Sequence, residues 1–169
     1  MTRSILGALV LLVLFAVPVA AQPLCDQHWI RGTWAYTYEG MLYPFMPDGT
    51  LSPTPVPIVL LGIVSIDANG AVTGGGTGVM GTQVIEYEFV NSTVEAGPGC
   101  TATGKYSLSV PGMGTVPGQG MDRLVLMPGD DEMRAICVQG VLGRPVYVGT
   151  YKRIEATGAA RPAAMARPR

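Results

Sequence analysis

The sequence predicts an all-β fold, with an eight-stranded antiparallel up-and-down barrel as the first expectation and a β-sandwich as the alternative. Three observations lead there. Glycine (23) and proline (14) are frequent and recur along the chain, while no stretch of ten residues outside the N-terminus keeps the apolar spacing of three and four that a helix needs. Short β-branched and aromatic runs alternate inward and outward with period two. Turn chemistry separates those runs at intervals suited to hairpins.

Residues 1–21 come first and read as a secretory signal peptide. Arg3 supplies the positive start, residues 5–17 the apolar run, and Val19, Ala20 and Ala21 the small residues before Gln22. The run falls short of the ~20 apolar residues that cross a bilayer, and no later stretch reaches that length, so no transmembrane anchor is expected. The expected location is secreted or periplasmic. Residues 22–155 are then one barrel domain. Residues 156–169 carry Arg161, Arg167 and Arg169 without an acid or apolar periodicity, and are expected to form a disordered basic tail.

The eight strands are expected at about 33–40, 57–66, 71–77, 82–90, 101–110, 121–127, 132–139 and 145–154. Trp34, Tyr36 and Tyr38 share one face of the first. In the fourth, Ile85, Tyr87 and Phe89 oppose Glu86 and Glu88, and in the fifth, Tyr106, Leu108 and Val110 oppose Lys105, Ser107 and Ser109. Asp67-Ala68-Asn69-Gly70 and Pro128-Gly129-Asp130-Asp131 have the composition of tight turns, which makes sequence neighbours spatial neighbours. Eight such strands close on themselves and leave no unpaired edge. Gly74, Gly75, Gly76 and Gly78 suit a strand that bends sharply at a barrel corner.

Charge excludes some functions. Charged residues make up 14%, and removing Arg3 leaves 10 basic against 12 acidic residues, a net −2. No basic patch lies among aromatic residues, so no nucleic-acid partner is expected. Gly76, Gly78 and Gly81 have the spacing of a dinucleotide loop, but a strand follows where that loop needs a helix. His28 is the only histidine and has no nucleophile or metal-ligand pattern beside it. Glu86 and Glu88 lie on one strand face, whereas paired catalytic acids converge across a cleft. Asp130, Asp131 and Glu132 lack the spaced ligands of a calcium loop. Asn91-Ser92-Thr93 is a glycosylation acceptor only in a eukaryotic host. No enzyme activity, cofactor or metal is therefore expected.

The cysteines are more informative. Export permits oxidation, and alternating strand directions put Cys25, before the first strand, at the same end as Cys100, before the fifth. Cys137 lies late in the seventh strand, toward the other end. A Cys25–Cys100 bridge is expected, closing a loop of about 75 residues and contributing ~4 kcal/mol. Cys137 is then a buried, inert thiol.

Cys25 followed by Arg31-Gly32-Thr33-Trp34-Ala35-Tyr36 resembles the C…[KR]-G-T-[YW]-x-[FY] start of a group of uncharacterised secreted bacterial proteins. The likeness continues at Gly62-Ile63-Val64-Ser65-Ile66-Asp67-Ala68-Asn69-Gly70, similar to their G-x-x-x-[FI]-D-x-[ND]-G hairpin, and at Gly99-Cys100-Thr101-Ala102-Thr103, similar to their C-T-G-T. A broader resemblance is to lipocalins and other calycins, whose G-x-W and a last-strand arginine pack together at the closed end. That resemblance implies closed-end roles for Gly32, Trp34 and Arg153.

Counting strand directions assigns each connection to an end. Loops at 41–56, 78–81, 111–120 and 140–144 share one, and they carry Met41, Tyr43, Phe45, Met46, Met80 and Met113 with only Asp48 and Arg144 charged. The other end collects Asp67, Asn69, Asn91, Glu95, Asp130 and Asp131. Methionine-rich apolar loops make an adaptable contact surface. The first expectation is a non-enzymatic exported protein that binds a small apolar ligand at the barrel mouth through those six residues. The alternative is an envelope or extracellular interaction module with no ligand, and an enzyme of cyclase or isomerase type ranks last.

Overall fold

The computed structural model describes residues 25–127 and 131–154. Residues 1–21, expected to be a signal peptide, residues 156–169, expected to be a basic tail, and Asp130 lie outside the described residues. A short helix α1 (Gln27–Ile30) precedes β1 (Gly32–Pro44), β2 (Val56–Ile66), β3 (Ala71–Met80) and β4 (Gln83–Gly97). A 3-10 turn at Pro98–Cys100 leads into β5 (Thr101–Val110). The two-residue β6 (Gly114–Thr115), β7 (Gly120–Leu126), β8 (Glu132–Gln139) and β9 (Gly143–Arg153) complete the chain.

Every neighbour is antiparallel. The order runs β1-β2-β3-β4-β5-β7-β8-β9, and β9 returns to pair with β1, so eight strands close into a barrel. β6 is an extra strand folded back on the end of β5. Period-two alternation dictates the inside. Trp34, Tyr36 and Tyr38 from β1, Tyr87 from β4, Leu108 from β5, Asp122, Leu124 and Leu126 from β7, and Tyr151 from β9 are all buried.

Several strands run longer than their sequence patterns indicate: residues 78–80 complete β3 and 143–144 open β9 instead of belonging to loops, and the larger extensions are in β1 and β4. Residues 41–44 continue β1, all four pairing with β9 and Met41 and Leu42 also with β2, so they are not loop. β4 passes through Asn91, which takes a left-handed φ of 48° in a bulge between Val90 and Thr93. Ser92 turns inward there and its hydroxyl bonds the Val90 carbonyl at 3.0 Å. The strand then resumes, with Glu95 opposite Thr103. Asn91 and Glu95 therefore belong to the barrel wall and not to an end loop, because the bulge absorbs the polar residue that reads as a strand stop. The bend expected from the glycines of β3 is present: the register shifts between Val72 and Gly75, and Gly74 has φ 116°.

One end is plugged. Cys25 and Cys100 form a disulfide with Cα atoms 4.8 Å apart. The Gln27 side chain donates to the Val94 carbonyl and accepts from the Ala96 amide, fastening α1 across β4. Beneath it the fully buried Trp34 donates to the Ile30 carbonyl at 2.9 Å. The Arg153 guanidinium lies 4.1 Å from the Trp34 ring and donates to the Trp29 and Arg31 carbonyls at 2.6 Å each. Gly32, at φ 131°, leaves space for that arginine.

The outer surface is less ordinary. Across β8, β9, β1, β2, β3 and β4 the register lines up Ile136, Val148, Glu39, Val59, Val79 and Val84 in one row, and all of these apolar side chains are exposed. Leu61, Ile63 and Val146 extend the apolar area on either side of it. β5 presents Thr101 and Lys105 outward instead.

Candidate functional site

The end opposite the disulfide gathers the connections 45–55, 81–82, 111–119 and 140–142. The Phe45 amide bonds the Leu142 carbonyl, joining the first of these connections to the last, and the Gly81 amide bonds the carbonyl of Pro57 at the start of β2. Behind them, inside the barrel, a cavity runs from Leu42, Ile58, Val141 and Leu142 near this end, past Leu60, Ile85, Leu108 and Tyr147, to a floor of Tyr36, Tyr38, Tyr87, Phe89, Tyr106 and Asp122. Its walls enclose about 530 Å3 when space open to solvent is counted, of which about 30 Å3 accepts the centre of a water molecule. That is room for about two or three waters, since one needs roughly 10–15 Å3 on this measure.

The floor is an aromatic layer set on glycines. Tyr36 lies opposite Gly62, Tyr38 opposite Gly149, Tyr106 opposite Gly120, and Tyr147 opposite Gly40. A Cβ on any of those glycines would overlap the facing tyrosine or its backbone. Each ring lies across a bare stretch of the neighbouring strand, which lets large side chains fill a small barrel without spreading it. The rings touch mostly edge to face: Tyr36–Phe89 and Phe89–Tyr106 have centroids 5.9 Å apart, and Tyr38–Tyr147 5.5 Å.

Asp122 sits in this layer, projected inward by the alternation that also buries Leu124 and Leu126. It is 6% exposed. The Tyr38 hydroxyl donates to its Oδ2 at 2.5 Å and stands 3.1 Å from the Tyr151 hydroxyl. The Cys137 thiol is near enough to act on the carboxyl's charge, but donates to the Met121 and Gln139 carbonyls at 3.8 and 3.4 Å. Among the described residues, Oδ1 has no hydrogen-bond partner. Burial pushes the Asp122 carboxyl from 3.8 up to about 6, against the lowering effect of the Tyr38 hydrogen bond. Burial, helped by the Asp122 charge, also lifts Cys137 to about 12, which keeps it a thiol. Desolvation raises Tyr38 and Tyr106 well above their ordinary values.

None of the six residues expected from the loops lines this cavity. Met41 faces outward from β1 and is exposed, as are Phe45, Met46 and Met113. Tyr43 is half-buried with the Arg144 guanidinium 4.7 Å above its ring. Met80 ends β3, half-buried, opposite Ile58. The structure puts them around one end of the barrel, on its rim and outer face, while the interior is lined by the alternate residues of the same strands. Leu42 is buried between two of the six, because a one-residue step reverses the direction of a strand side chain.

The other sequence candidates are dispersed. His28 is exposed on α1 at the plugged end, and Glu86 and Glu88 face out of the wall. Among the described residues no group of three histidines, cysteines or acids is arranged to hold a metal, and no helix is long and apolar enough to cross a membrane. The sequence reading missed Asp122, although its place in the alternation Asp122, Leu124, Leu126 marked it as inward-facing. No family model matches the chain, and no curated protein or solved structure does either.

Proposed function

We propose that this protein is an exported, non-enzymatic carrier or sensor of a small, largely apolar molecule, held inside the barrel between the loop end and the aromatic floor. The single observation that carries the reading is Asp122 Oδ1: a buried carboxylate oxygen without a hydrogen-bond donor, on a residue lining an otherwise apolar cavity. Leaving such an atom unsatisfied costs on the order of 1–3 kcal/mol, and native cores retain such atoms where something else supplies the missing bond. The cavity is too small for a drug-sized molecule. As it stands it holds about two or three heavy atoms, and a chain the length of n-butanol enters with Leu42, Ile58 and Val141 moved aside.

The disulfide supports export to an oxidising compartment, in keeping with the signal peptide read from residues 1–21. The stack of Arg153 on Trp34 beside Gly32 supports a calycin-like closed end, with the ligand entering from the other. The test is methyl-resolved NMR during titration with n-butanol. Expected are shifts confined to Leu42, Ile58, Leu60, Ile85 and Leu108, and their loss in Leu108→Trp. Shifts restricted to the outward Val59, Leu61 and Ile63, or none at all, overturn the reading.

A second reading, an interaction module of the cell envelope, is favoured by the exposed apolar rows on the barrel's outer face, which exceed the scattered single residues of an ordinary surface.

A further inference from the structure

The cavity floor is chemically lopsided. Its acidic group has no counter-ion: the ion pairs among the described side chains join Arg134 to Glu132 and Arg153 to Asp131, both outside the cavity. Everything else facing Asp122 is aromatic or weakly polar. Tyr38 comes from β1, Tyr106 from β5, Cys137 from β8, and Tyr147 and Tyr151 from β9, with Phe89 of β4 completing the floor. The aromatic hydroxyls are already engaged. Tyr38 serves Oδ2, Tyr151 lies against Tyr38, and Tyr106 contacts Cys137 Sγ at 3.2 Å and the Gln139 carbonyl at 3.5 Å.

We infer that the cavity selects a short primary alkylamine in its ammonium form, the –NH3+ head donating to Asp122 Oδ1 among the rings of Tyr38, Tyr106 and Tyr147, and the alkyl chain lying along Leu60, Ile85, Leu108 and Leu142. The inference rests on the proposed cavity-binding function and specifies its ligand. Three physical features favour an ammonium over a hydroxyl or a carboxylate head. Oδ1 accepts and offers no proton, which suits a donor. A charge-assisted bond to a carboxylate is about twice as strong as a neutral one. Aromatic faces attract a cation, most strongly when it is shielded from water. A carboxylate head would meet Asp122 as a like charge at short range and bind least well. A primary amine also fits the geometry better than a quaternary one, which has no N–H to give Oδ1.

The experiment compares n-butylammonium, n-butanol and butyrate, three ligands of similar length, by methyl-resolved NMR titration of the whole chain at pH 7.5. Expected is an affinity for butylammonium at least about tenfold above that for butanol, with butyrate weakest. In Asp122→Asn the amine's advantage should shrink to within about twofold while butanol binding persists. The comparison on the unaltered chain stands even if that variant does not fold. Equal affinity for butanol and butylammonium overturns the amine inference and leaves the cavity reading intact; a bound water then satisfies Oδ1. Binding of none of the three to the cavity overturns both.

Discussion

At the scale of single residues, Asp122 is the anomaly of the core. Its carboxyl ionises at about 6 in the folded chain against 3.8 ordinarily, because burial disfavours the charge. The folded state therefore holds a proton over a pH range in which the unfolded state has released it. It follows that this group's contribution to stability is greatest below about pH 4, falls as pH rises, and is lost above about 6, with a total swing on the order of 2–3 kcal/mol. Urea unfolding of the wild type and Asp122→Asn at pH 4.5 and 7.5 checks this. The variant should lie closer to the wild type at the acid pH and be the more stable of the two at pH 7.5. A stability difference that does not change between those pH values would show that Asp122 is solvated. Several of the tyrosines around it follow a simpler steric rule: Tyr38, Tyr106 and Tyr147 each have a glycine as a cross-strand neighbour.

At the scale of elements, the two ends of the barrel are held by different means. The plugged end relies on named polar contacts between α1, the end of β9 and the start of β1, with Arg153 at their centre. Its guanidinium lies on Trp34 while donating to two carbonyls, an arrangement a lysine cannot reproduce. Arg153→Ala is expected to lower stability by about 2–4 kcal/mol, and Arg153→Lys to recover less than half of that, read from urea midpoints at constant slope. A lysine variant as stable as the wild type would mean that charge alone matters. The loop end is held instead by apolar closure around Leu42, Ile58, Val116 and Val141, all buried, plus backbone bonds between loops. Apolar contacts of this kind lack direction and rearrange more readily than charged hydrogen bonds, which makes this end the natural place for entry.

At the scale of the whole molecule, barrel closure settles which apolar residues are hidden. Eight strands have room for one inward set, so Leu61, Ile63, Val146 and Val148 remain outside, each more than half exposed. If this outer band docks on the envelope, the protein should co-sediment with phosphatidylethanolamine–phosphatidylglycerol vesicles, and Leu61→Thr with Val148→Thr should reduce the bound fraction while leaving the thermal midpoint within about 2 °C, since exposed positions contribute little to stability. Absence of vesicle binding by the wild type would leave the interior as the functional surface.

Much of this architecture was legible in the chain. Strand positions follow from period-two alternation, and sequence-local turns such as Asp67–Gly70 fix simple neighbour pairing, from which closure and the Cys25–Cys100 bridge follow by direction alone. The packing of Arg153 on Trp34 beside Gly32, expected for those three residues, spans the chain. The limits appeared where meaning depends on a partner strand. Met41 and Leu42 look alike in sequence, yet one faces solvent and the other the cavity. Asn91 reads as a strand terminator until a bulge against β5 absorbs it. Asp122 carries an ordinary acidic side chain, and its unusual state comes from burial among residues far off in the sequence, such as Tyr38, 84 residues before it, and Leu108 of the neighbouring cavity wall. Local pattern determines which residues form strands and which way they alternate, because that is steric and short-range. Cross-strand register alone decides what each inward side chain meets, because it brings together residues whose sequence separation carries no signal.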